Sequence, residues 1–230
     1  MKQEILSKQT GPLLILLNVE TAHINWMADK LAGGGLFVDV GAATGAATIP
    51  IALRFGAGLV DIVAFEPAKN AMNLLQKTCQ KNKISSVQFI NKAVSDCSGQ
   101  VKFVEFDHDP SGNCPFLPEV SSITHKTLST DNSNQHIVDC TTLDSFFTEG
   151  DLVMLIVGKT VVIKIDVEGF EEHVLNGGGK FIEMVRPALS IDIHNNINGM
   201  EGTTEEACRR ILGGHGYNFV NLGHVLLCSP

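Results

Sequence analysis

The sequence predicts an α/β fold: a doubly wound, mostly parallel sheet of seven strands, with a C-terminal antiparallel strand pair and an extra hairpin or lid. Short apolar runs alternate with helical patterns from residue 36 onward, which argues for a parallel sheet with helices on both faces. Two of these runs, Phe37-Val-Asp39-Val-Gly41-Ala-Ala-Thr-Gly45 and Val161-Val-Ile-Lys-Ile-Asp166-Val-Glu168-Gly169, end in acids and glycines. Open sheets of this kind bind ligands at the carboxyl ends of their strands. A third observation is that residues 95–150 break the alternation.

Taken in order, Pro12–Val19 is apolar and runs on through His23, Trp26, Met27 and Leu31 at helical spacing, so residues 1–35 form an N-terminal helical segment ahead of a domain at 36–230. Strands are expected at Phe37–Val40, Val60–Phe65, Val87–Ile90, Val161–Ile165, Ala188–Ile193, Tyr217–Asn221 and Val225–Cys228. The helices between them are Ala47–Arg54, Ala68–Asn82, Glu171–Val185 and Glu205–Leu212. Val101–Phe106 alternates like a hairpin strand after the turn Ser95–Gly99, and Thr141–Phe147 opens a short helix. Residues 107–136, rich in Ser, Thr, Asn, Pro and Asp, read as a loop, either a mobile lid or plain disorder. The apolar run Leu152–Val157 has no obvious place.

At 230 residues, 44% hydrophobic and 18% charged, the chain has ample material for a core. Its net charge of −8 and lack of any Lys/Arg cluster argue against nucleic acid or an anionic membrane as partner. The apolar N-terminal run is too short to span a bilayer. The six cysteines form no CxxC pair and no zinc-finger spacing, so reduced thiols and a cytoplasmic setting are expected.

The chemistry-bearing residues cluster at strand ends. Gly41 and Gly45 let a backbone approach a ligand closely, but their spacing is not the G-x-G-x-x-G of pyrophosphate binders. Asp39 would repel a pyrophosphate and suits a cationic amine or a hydroxyl donor; an ordinary strand-to-helix turn would carry the same residues. Glu66 ends the next strand, about 20 residues on, where an acid commonly holds ribose hydroxyls. Asp166 can orient a cofactor or substrate group, while Glu168 either takes a proton or sits at a helix N-terminus, where negative charge is favourable. His194, closing Ser190-Ile-Asp192-Ile-His194, is a candidate general base. Asp166, Asp192 and His194 also offer donors to a divalent metal, although nothing in the spacing demands one and none is assigned. Gly158-Lys159-Thr160 resembles the end of a P-loop, but the upstream glycine is missing and a strand follows.

With these pieces the chain resembles the FkbM-type methyltransferases, class I enzymes dependent on S-adenosylmethionine (SAM). The resemblance rests on Phe37–Gly45, Ala64-Phe-Glu-Pro67, Asn91–Asp96, Ser111-Gly-Asn113, Thr142-Leu-Asp144 and Lys164-Ile-Asp-Val-Glu-Gly-Phe-Glu171. It implies a class I Rossmann-like sheet, with Asp39, Gly41, Ala42 and Gly45 around the methionine part of SAM. It further implies Glu66 and Pro67 at the ribose, Ala93 and Val94 near the adenine, and Asp166 on the cofactor as well as the substrate side. The expected reaction is O-methylation of a small molecule, sugar or natural product, with His194 or Glu168 as base and Asp166 orienting. Two departures stand out: Ala43 where the family usually has Asn, and the extra length at Leu152–Val157. The competing readings are a non-catalytic SAM- or nucleoside-binding module and a nicotinamide-dependent oxidoreductase. The acceptor and the oligomeric state have no readable code.

Overall fold

The computed structural model describes residues 12–105, 134–148, 155–197 and 200–230. Its centre is a seven-stranded sheet. Five strands run parallel: β1 (Gly35–Val40), β2 (Val60–Phe65), β3 (Val87–Ile90), β7 (Val161–Ile165) and β8 (Ala188–Asp192). The antiparallel strands β12 (Val225–Ser229) and β11 (Asn218–Asn221) complete it, in the order β11-β12-β8-β7-β1-β2-β3. The chain winds outward from β1 through β2 to β3, then returns to β7 on the other side of β1. This reversal separates the loops leaving β1 and β7 and opens a crevice between them, which is where such sheets bind ligands. Asp39 stands beside Lys164 and Val40 beside Ile165, so the two strand ends lie level.

Local sequence explains the central strands. Val161–Ile165 and Ala188–Asp192 are buried along their whole length, as strands covered on both faces must be. On one face, α1 (Pro12–Lys30) packs with α2 (Thr48–Phe55): Met27, Ala28 and Leu31 are fully buried in a cluster with Phe37, Ile51, Val162 and Ala188. Each such Met or Leu contributes about 1.5–3 kcal/mol by burial. The larger cluster on the sheet joins Val38, Val63, Ile163 and Leu189 to Leu143 and Phe147 of α4 (Leu143–Thr148) and to Phe181. Helices α3 (Lys69–Lys81) and α7 (Glu205–Gly213) complete the layers. Among the described residues no helix is long and apolar enough to cross a membrane.

Three features depart from expectation. The helix expected over Glu171–Val185 is broken into α5 (Glu171–Asn176) and α6 (Gly179–Val185). A Cβ at Gly177 would collide with the carbonyl oxygen of Ser95, so the chain passes there only as glycine, and Asp144 then accepts the amides of Phe181 (2.8 Å) and Lys180 (3.3 Å) at the start of α6. A second, three-stranded sheet also forms: β4 (Ala93–Val94) pairs with β6 (Asn134–Thr141), which runs antiparallel to β5 (Gly99–Glu105). Residues 134–136, expected to end the loop, are therefore strand; residues 107–133 and Ser111-Gly-Asn113 lie outside the described residues. The third departure is a short pairing of β9 (Asn196–Ile197) with β10 (Met200–Glu201). Of the run Leu152–Val157, residues 152–154 lie outside the described set, and Ile156 is buried in a turn ahead of β7.

Candidate active site

The carboxyl ends of β1 and β7 are stitched together. Asp166 N donates to Val40 O at 3.0 Å, and the amides of Gly41 and Ala42 donate to Phe65 O at 3.0 and 2.9 Å. Gly41 has φ +81, and a Cβ there would run into the carbonyl of Asp166. Only glycine allows β1 to turn this close to β7. Ala43 also takes a left-handed conformation, φ +45, while its amide donates to Glu66 Oε2 at 2.8 Å. For alanine that backbone costs about 1–2 kcal/mol, whereas Asn tolerates it. Ala43→Asn is accordingly expected to stabilise the protein by about 0.5–1 kcal/mol, raising Tm by roughly 1–4 °C; a thermal scan showing no rise would refute the assignment of strain.

Beneath this turn lies a buried charge network. Asp39 has no exposed surface; Thr48 Oγ1 donates to its Oδ2 at 2.6 Å, and Lys164 Nζ stands 3.8 Å from its Oδ1. Burial pushes the Asp39 carboxyl up, against the pull of Lys164. The same ammonium bonds Asp166 Oδ2 at 2.8 Å. Burial would raise Asp166 too, but the ion pair and hydrogen bond to Lys164 outweigh it and hold this carboxyl below its ordinary value. Burial would also strip Lys164 of its proton, were it not for Asp166 and Asp39, which together push its pKa up. The network therefore holds a charged Asp166, 28% exposed, at the crevice.

Glu66 is buried, and each carboxylate oxygen accepts one backbone amide: Oε2 from Ala43 and Oε1 from Ala68, both at 2.8 Å. Burial outweighs these bonds and raises its pKa to about 7. Asn91 Nδ2 clamps the turn from outside by donating to the carbonyls of Glu66 (2.7 Å) and Pro67 (3.0 Å).

The β7–α5 turn carries the remaining acids. Glu168 has φ +52, and its Oε2 lies 3.5 Å from His194 Nε2. Helix α5 has Phe170 at its N-cap and no side-chain cap; the amides of the turn, from Val167 (3.3 Å) and Gly169 (3.0 Å), go to Glu171 Oε1. Glu171 thus ties down the turn ahead of α5, while the amide of Glu172 in the first turn of the helix goes to Thr203 Oγ1 at 3.0 Å. Fully buried Glu171 also accepts from His194 Nδ1 at 3.2 Å. Burial would lower the His194 pKa, but Glu171 and Glu168 raise it to about 9, while burial lifts Glu168 to about 7. His194 is therefore an imidazolium at neutral pH, with Glu168 the group that changes protonation there. Asp192, ending β8, is raised by burial and by Asp166 to about 6.

The expected site residues thus fall into two tiers. Asp166, Glu168 and His194 meet at the open edge with Gly41. Asp39, Ala42, Gly45, Glu66, Pro67, Ala93 and Val94 form a buried tier below it; Ala93 and Val94 join the main core, and Ala42 packs with Ala64, Leu75 and Cys79. Sequence reasoning passed over Lys164, Glu171, Asn91 and Thr203, whose Oγ1 donates to Gly169 O at 2.9 Å and accepts from Glu172 N at 3.0 Å. A signal existed for Lys164: a lone cation inside the run Val161-Val-Ile-Lys-Ile165 must find buried partners. Thr203 carries no local signal.

A family model described as the methyltransferase FkbM domain matches residues 39–219. Among solved structures the chain is similar to a methyltransferase FkbM from Methylobacillus flagellatus KT, at 16% identity and TM-score 0.53, covering 86% of this chain and 44% of that one. The chain thus spans less than half the length of that protein. A putative rRNA-methylase from Clostridium thermocellum is similar at 12% identity and TM-score 0.53, covering 90% and 92% of the respective chains. Magnesium protoporphyrin IX methyltransferase from Synechocystis PCC 6803, with bound SAH, is similar at 12% identity and TM-score 0.51, covering 96% and 87%. These likenesses speak for the fold. No curated protein matches the chain. Since the family match takes in well over half of the residues and includes the whole of the crevice, the chain belongs to the FkbM methyltransferase family.

Proposed function

We propose that the protein methylates a hydroxyl group of a small molecule, sugar or natural product, with Glu168 as the proton acceptor. The observation that carries this reading is the placement of Glu168: its carboxylate stands at the carboxyl end of β7 and faces His194, while Glu171 takes the amides of the β7–α5 turn.

The residues present fit SAM. Each Glu66 oxygen has one backbone amide, which leaves a lone pair on each for a vicinal diol. The charged, partly exposed Asp166 suits an ammonium, and the Gly41 turn leaves room for close backbone approach. Ala93 and Val94, their side chains in the core, would meet an adenine through their backbone. When bound, SAM supplies a methyl group on a positively charged sulfur and leaves as a neutral thioether. The protein then has to align the acceptor and remove its proton. Glu168 takes that proton. Imidazolium His194, 3.5 Å away, balances the ionised form of Glu168 and holds it in place. Asp166, locked by Lys164, orients the acceptor without being protonated itself.

Calorimetry with SAM, followed by SAH release against a panel of sugar, polyol and phenolic hydroxyls, tests the reading. Glu168→Gln is expected to lower kcat by about 10²–10⁴ while leaving SAM affinity within about threefold; an unchanged kcat would remove Glu168 from the reaction. Tight SAM binding with no turnover on any hydroxyl would point to a binding module, and preference for NAD to an oxidoreductase.

A further inference from the structure

We propose that Asp166, Asp192 and His194 form a divalent-cation site of the Mn²⁺ or Mg²⁺ class at the carboxyl ends of β7 and β8. Each offers a donor atom, and these atoms all lie within 4.8 Å of one another. Metal–ligand bonds of about 2.1–2.6 Å place donors up to roughly 4–5 Å apart across one ion, so the group closes around a cation with little movement.

Two observations outside this spacing point to a ligand. Asp192 is 9% exposed, and its Oδ1 is buried without a hydrogen-bond partner. A buried carboxylate oxygen in that state bears a desolvation cost that a cation relieves. Its other oxygen lies 3.9 Å from His224 Nε2, too far for a hydrogen bond. The second observation is the support behind His194. Glu171 is fully buried, anchored by the amides of Val167 and Gly169, and accepts from His194 Nδ1. This carboxylate behind an imidazole fixes the ring and directs Nε2 outward, as in metal-ligating histidines. In the free protein Nε2 carries a proton and faces Glu168 at 3.5 Å; a bound cation takes the place of that proton, which is released, and of its charge beside Glu168. Lys164 holds Asp166 through Oδ2 and leaves Oδ1 for the ion. Two carboxylates and one imidazole, with no thiolate, match a hard or borderline divalent ion.

The role of the ion rests on the hydroxyl-methylation reading: coordinated to it, an acceptor hydroxyl becomes more acidic and lies beside Glu168. The test uses the full chain, stripped with EDTA and titrated with Mn²⁺ in the absence of SAM, with binding followed by electron paramagnetic resonance. One Mn²⁺ per chain, displaced by excess Mg²⁺, is expected. Asp192→Asn and His194→Gln should each weaken binding at least 30-fold, and Glu171→Gln about 10-fold. His194→Gln lies at the open edge and keeps the test valid should Asp192→Asn not fold. No saturable Mn²⁺ binding by the wild-type protein, or equal affinity in the folded variants, overturns the site. SAM binding is measured separately in EDTA. SAM binding and hydroxyl turnover without Mn²⁺ binding would remove the site but keep the methylation reading, whereas Mn²⁺ binding without turnover would do the reverse.

Discussion

Lys164→Met should cost the fold about 3–5 kcal/mol, the loss typical of breaking a buried ion pair on one side. Lys164 is 6% exposed and is the cation shared by fully buried Asp39 and by Asp166. Without it, two acids stand in the crevice floor with Thr48 as the remaining donor to Asp39. Asp39, already raised by burial, would rise further. The sign follows from linkage: an acid whose folded pKa lies above its unfolded value favours folding at low pH, and that contribution is lost as pH rises through the folded pKa. The deficit of the variant should therefore widen from acid to neutral pH. Urea unfolding at several pH values measures it, and the double variant Lys164→Met/Asp39→Asn should recover part of the loss. A single variant within about 1 kcal/mol of wild type would show that the network is not what holds β1 to β7.

Glu66→Ala should weaken SAM binding by about 100-fold or more. Two hydrogen bonds to a charged group contribute about 1.5–3 kcal/mol each, and about 1.4 kcal/mol is tenfold in affinity. The substitution also strips the acceptor from the amides of Ala43 and Ala68, which loosens the glycine turn itself. Affinity should depend on pH. Burial raises the Glu66 pKa from 4.5 to about 7, so below neutrality its carboxyl carries a proton in the place of a lone pair, and SAM should bind progressively more weakly from pH 8 to pH 6. Stability of the free protein runs the other way. Between its unfolded and folded pKa values the folded state holds a proton that the unfolded chain has released, so this contribution of roughly 3 kcal/mol is present at low pH and lost as pH rises through about 7. Glu66→Gln should flatten both profiles. Calorimetry at pH 6, 7 and 8 reads the first; an affinity independent of pH would mean that Glu66 does not hold the ribose.

Much of this architecture is legible in the residues alone. The apolar runs Phe37–Val40, Val60–Phe65 and Val161–Ile165 become strands of the parallel sheet because a run that short and that apolar satisfies burial on both faces. Gly41 and the acids Glu66 and Asp166 fall at strand ends because each follows the last apolar residue of its run, and Glu168 comes two residues later in the turn. These are local signals, carried by period and by the conformational freedom of glycine.

What depended on three dimensions is the work each acid does. Glu168 and Glu171 both stand near a helix start in the sequence, and either could serve it. The fold brings His194 Nδ1 and the amides of Val167 and Gly169 to Glu171, and sets Glu168 against the other ring nitrogen of His194. Lys164 acquires its meaning only when β1 is laid beside β7 and Asp39 comes within reach. The glycine at the break after Asn176 is likewise required by Ser95, some eighty residues away along the chain, whose carbonyl occupies the space that a side chain at Gly177 would need. Periodicity reports which face of an element is apolar. It carries no record of which distant group that face will meet, and in this site the partners and charge states of the acids are set by those meetings.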